Sequence, residues 1–179
     1  MKMTFEVYPH TADVGVRGYG ATLEEAFQEV AKAMFSIMVD ISSVKPLVRR
    51  DVLVDADDLD LLLIKWLNSL LAISAIHFEV YSVFSVKIEG TKLEGQALGQ
   101  SMEGLELKDE IKAATFADLV VKEEGGKWVA QCIVDVRLPT RRWIRNLNSF
   151  RDERMSELRC QVELVPLFLV LRGYLSAYG

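Results

Sequence analysis

Two apolar stripes at helical spacing, close together in the first half of the chain, limit the fold more than any other feature. Leu23, Phe27, Val30, Ala31, Met34, Ile37 and Met38 recur on one face of a helix predicted over 22–38. Thr22-Leu23-Glu24-Glu25 at its start has the form of a capping box. A second stripe, Leu59, Leu62, Leu63, Trp66, Leu67, Leu70 and Leu71, follows Asp57-Asp58, whose carboxylates suit a helix N-terminus. Each stripe needs an apolar surface to cover it, and the remaining sequence supplies strands.

Phe78, Val80, Phe84, Val86 and Ile88 alternate with mostly polar neighbours, and Gly90-Thr91 turns the chain into Leu93, Gly95, Ala97 and Gly99. Residues 111–121 and 127–136 flank Glu123-Glu124-Gly125-Gly126 as a second hairpin. Shorter strands are expected over 5–8, 14–19 and 48–55. The fold class that follows is α+β: a two-layer sandwich of a mostly antiparallel sheet with two amphipathic helices. Trp66 and Trp128 are expected in the core, His77 at a helix end or in solvent, and Arg49-Arg50 as a solvated charge pair.

Charge divides the chain. Residues 1–136 hold 13 Lys+Arg against 22 Asp+Glu, a balance of −9; residues 137–179 hold eight Arg, no Lys and four acidic residues, a balance of +4. We therefore expect a body over 1–136 and an Arg-rich C-terminal extension over 137–179. The acidic body argues against strong direct nucleic-acid binding through its own phosphate contacts. In the extension, Arg141-Arg142-Trp143-Ile144-Arg145 interleaves guanidinium groups with an aromatic, a pattern suited to RNA but more often a plain charged segment. Lys2 and the alternating residues after it form no apolar secretory core, and Val162 to Leu171 is too short to cross a bilayer. A cytoplasmic protein with no membrane association is expected. Cys132 and Cys160 lack metal-ligand spacing and are expected to be buried, reduced thiols.

Two places carry polar groups suited to chemistry. His10 and Asp13 flank a short loop between strands, where they can share a metal or a proton, or where Asp13 can cap a turn. Strand alternation puts Trp128, Ala130, Cys132, Val134 and Val136 on one face, and Asp135 on the other with Val129, Gln131 and Ile133. Asp135 is then either solvated at a sheet edge or engaged by a cation.

His10-Thr11-Ala12-Asp13-Val14-Gly15, Gly18-Tyr19-Gly20, Thr22-Leu23-Glu24-Glu25-Ala26-Phe27, Glu110-Ile111-Lys112-Ala113-Ala114-Thr115 and Trp128-Val129-Ala130-Gln131 running to Asp135-Val136 occur together in this order. In order and spacing they resemble the archease family over about residues 4–136. The resemblance implies an SHS2-like archease fold and, rather than an enzyme, an accessory protein for the 3′-phosphate tRNA-splicing ligase that promotes its guanylylation and turnover. An RNA cytosine methyltransferase is the alternative partner. It also implies a divalent cation, usually calcium, held by Asp13, Asp135 and the Val136 backbone carbonyl. Oxygen donors suit such an ion, and His10 suits a neighbouring, orienting role better than ligation. An independent metal-dependent hydrolase is a third reading, for which His10 is the one base at hand and no nucleophile motif accompanies it. The chain departs from the family where Tyr-His-Asp-Leu becomes Phe116-Ala117-Asp118-Leu119, where Gly-Glu becomes Gly99-Gln100, and where a family His falls on Leu105.

Overall fold

A computed structural model describes residues 4–10 and 13–137. The Arg-rich segment 141–145, Cys160 and the rest of the expected extension from 138 onward lie outside the described residues. Seven strands and two α-helices follow in the order β1 (Phe5–His10), β2 (Asp13–Gly20), α1 (Leu23–Met38), β3 (Val48–Asp55), α2 (Leu59–His77), β4 (Glu79–Glu89), β5 (Lys92–Ser101), β6 (Glu110–Glu124) and β7 (Lys127–Arg137). The expected α+β class holds, with every strand pairing antiparallel.

Helix starts follow their local chemistry. The Glu25 amide donates to Thr22 Oγ1 at 3.2 Å, and Glu25 Oε2 reaches back to the Ala21 amide at 2.6 Å, one residue before the expected N-cap amide. Asp58 caps α2 by accepting from the Leu61 amide at 2.7 Å.

The strands form two sheets rather than one, in the orders β1-β2-β7-β6 and β3-β5-β4. Each helix packs against strands of both. That double cover explains why α2 is apolar on more than one side: Leu62, Leu63, Trp66, Leu67 and Leu70 are all fully buried. By length and composition α2 could cross a membrane, but here those side chains form the domain core. Trp66 also donates its indole N–H to the Phe27 carbonyl at 3.2 Å, tying α2 to α1. Trp128 is half-buried rather than a core residue.

α1 lies directly on β2. A Cβ at Gly18 would stand 2.2 Å from the Val30 nitrogen and 2.4 Å from the Ala26 carbonyl oxygen, so only glycine lets the two backbones approach this closely. The β6–β7 hairpin turns through Gly125 and Gly126, both at positive φ, as a two-residue reversal requires.

The expectation for Arg49-Arg50 is half corrected. Arg49 pairs with Asp51 at the surface, but Arg50 faces inward and grips Glu79 with two hydrogen bonds of 2.9 and 2.7 Å. The Tyr81 hydroxyl adds a third at 2.9 Å. Strand alternation turns Arg50 to the core side with Val52 and Val54, and Glu79 on β4 meets it there.

Candidate functional site

The β2–β7 pairing brings the distant sequence blocks together. Its register runs from Gly20 opposite Trp128 to Val14 opposite Val134. One residue beyond that last pair on each strand stand Asp13 and Asp135, at the same end of the ladder although 122 positions apart. Alternation puts both on the face of the paired Gly15 and Ile133, turned away from the fully buried Val16, Cys132 and Val134. His10 lies opposite Asp13 across the β1–β2 pair. The sequence candidates His10, Asp13 and Asp135 therefore share one end of one face. Val136 is the next residue of β7, paired with Ile111.

Lys112 joins them. Between Ile111 and Ala113 the β6–β7 register slips by one residue, and Ala113 is left opposite Asp135 with Lys112 as the extra residue. Lys112 Nζ lies 3.2 Å from Asp135 Oδ2 and 3.4 Å from Oδ1. Beside this end, Glu110 stands opposite Arg137, and Glu110 Oε2 is buried without a hydrogen-bond partner among the described residues.

The donor chemistry fits a hard divalent cation: two carboxylates that can balance its charge, plus a backbone carbonyl. Among the described residues no group of three or more His, Cys, Asp or Glu side chains converges. An ion held here would complete its shell with water.

The middle of the same face carries a polar cluster that sequence reasoning missed. Arg17 donates to Glu6, Gln131 and the Tyr19 hydroxyl, and its guanidinium lies over the Tyr8 ring, 4.9 Å from the centroid. The Tyr8 ring rests flat on Gly15, where a Cβ would fall 2.1 Å from a ring carbon. Residues 116–119 form a second irregularity in β6, with Asp118 at φ 49. Gln131 Nε2 donates to Asp118 Oδ2 at 2.8 Å and to its carbonyl at 2.9 Å. Burial, then the hydrogen bond and charge of Asp118, push the Tyr8 hydroxyl up to about 12. The available signal was period-2 alternation, which aligns Glu6 with Tyr8 and Arg17 with Tyr19 on one face.

The departures from the family pattern lie in different places. Gln100 belongs to β5 in the other sheet, where its Oε1 accepts from the Lys45 amide at 2.7 Å. Leu105 lies in the turn after β5. Phe116 and Ala117 are exposed in the second irregularity of β6.

An α+β domain of two antiparallel sheets, with two carboxylates at one end of the larger sheet, is the class of protein these observations define. A family model described as the Archease protein family (MTH1598/TM1083) matches residues 5–136. The protein archease of Pyrococcus abyssi is 42% identical over 139 residues, spanning 74% of this chain and 98% of the relative. That of Sulfurisphaera tokodaii is 36% identical over 136 residues, with the same coverage. The solution structure of Methanobacterium thermoautotrophicum protein 1598 matches at 38% identity and a TM-score of 0.66, covering 75% of this chain and 99% of that one. The chain belongs to the archease family.

Proposed function

We propose that this protein is an accessory factor that activates an RNA-processing enzyme, the 3′-phosphate tRNA-splicing ligase, by promoting its guanylylation and turnover. Family membership over residues 5–136 supports the partner class, and the observation that supports the site is the β2–β7 register, whose last pair, Val14 and Val134, leaves Asp13 and Asp135 at the same end of the sheet. The acidic body suits a basic protein surface rather than RNA phosphates, so the ligase holds the RNA.

In this reading Asp13, Asp135 and the Val136 carbonyl hold a divalent cation, calcium by family resemblance. When bound, the ion supplies positive charge that draws phosphate oxygens. His10, opposite Asp13, fixes the orientation of that carboxylate. The test mixes the protein with a candidate ligase, GTP and the metal, and follows ligase guanylylation. Asp13→Ala and Asp135→Ala abolish the stimulation; two mutants that stimulate as well as the parent would sink the assignment.

A further inference from the structure

We infer that Lys112 is a built-in counter-ion that competes with the divalent cation for Asp135, so that the ion binds only by displacing the lysine. The inference rests on the cation reading of Asp13 and Asp135 and adds the residue that sets the affinity of that site.

The one-residue slip in β6 is the first support. A regular ladder would put only one of Lys112 and Ala113 on the Asp135 face, whereas the bulge leaves two β6 residues against one on β7. Bulges re-aim side chains, and this one aims an ammonium at a carboxylate. Contact with both carboxylate oxygens is the second: Nζ at 3.2 and 3.4 Å takes up the same negative charge that a cation shared with Asp13 needs. The third is exposure. The two side chains keep 39% and 40% of their surface open to solvent, so the pair is weak enough to exchange and the long lysine stem is free to swing into water. An unrelieved pair of carboxylates would repel. Lys112 supplies one positive charge in the ion-free state and withdraws it when two arrive.

The experiment is calorimetric titration of the full chain with Ca²⁺ alone, independent of any ligase. Lys112→Gln removes the competitor and tightens Ca²⁺ binding by about three- to tenfold, the range expected for a half-exposed charge beside the site. Lys112→Arg keeps the charge and stays within about twofold of the parent. Lys122→Gln removes the same charge from the same strand, where it pairs with Glu124, and leaves affinity unchanged. Equal or weaker binding by Lys112→Gln overturns the inference, as does equal tightening by Lys122→Gln, which would reflect net charge alone. If Asp135→Ala abolishes binding while Lys112→Gln does nothing, the cation site stands and the competitor falls. A parent chain that takes up no Ca²⁺ overturns both.

Discussion

Tyr8 and Asp118 stand 110 positions apart on opposite edge strands of the four-stranded sheet, yet the Tyr8 hydroxyl donates to Asp118 Oδ2 at 3.1 Å. The bond spans β2 and β7, and it does so because Gly15 leaves room for the Tyr8 ring and the irregular 116–119 segment carries Asp118 to it. Asp118 is thus the member of the altered Phe116-Ala117-Asp118-Leu119 block with partners on two other strands.

Asp118→Ala removes the carboxylate that Tyr8 and Gln131 share and places a residue with no local hydrogen bond at φ 49. The expected loss is about 1 kcal/mol, because the residue is exposed and Gln131 keeps the backbone carbonyl as acceptor. Asp118→Asn should retain most of the stability. Urea denaturation of the three proteins checks the order; an alanine variant as stable as the parent would make the cluster incidental.

Gly18→Ala and Gly90→Ala separate steric closeness from backbone strain. At Gly18 the added methyl meets α1 backbone, which cannot yield as a side chain can, and about 2–3 kcal/mol of stability is expected to go. At Gly90 nothing lies within 4 Å and the cost is the positive φ alone, about 1 kcal/mol. Equal losses in thermal unfolding would refute the close packing of α1 on β2.

The contrast between these glycines also marks what the sequence could tell. Local signals placed both helices, their caps and both hairpins, because capping boxes, apolar periods and glycine turns act over a few residues. Alternation correctly turned Cys132 and Val134 inward and Asp135 outward. Pairing between β2 and β7, which creates the candidate site, depends on how the strands pack on the helices and leaves no local trace. The same holds for the division into two sheets, in which β3 pairs with β5 and both pack on α2. Arg50 looked solvated beside Arg49 because its partner Glu79 comes from a strand 29 residues away. The Lys112 bulge was hidden because a one-residue slip shows only once the partner strand is known.

Cys132 tests the core from a different direction. Burial pushes its thiol up to about 12, so almost no thiolate exists near neutral pH. Iodoacetamide at pH 8 is expected to leave Cys132 unmodified for hours in the native protein and to label it within minutes in denaturing urea, read by peptide mass mapping. Native labelling at the rate of a free thiol would place the β7 face outside the core.

Acid sensitivity should trace to Glu79. Burial opposes its charge, but the hydrogen bonds from Arg50 and Tyr81 outweigh that cost and hold its carboxyl below the ordinary 4.5. A carboxyl with a depressed folded-state value binds fewer protons than the unfolded chain does. Its stabilisation is therefore complete above 4.5 and is lost as pH falls through the lower, folded value. Glu79→Gln removes that dependence and leaves Arg50 half-buried without its counter-charge, at a cost of about 2 kcal/mol near neutrality once Arg50's partial exposure is allowed for. Urea midpoints measured from pH 7 to pH 3 should fall more steeply for the parent than for Glu79→Gln, so that the two curves converge in acid. Parallel curves over that range would show that the Arg50–Glu79 pair does not hold the β3–β5–β4 sheet against acid.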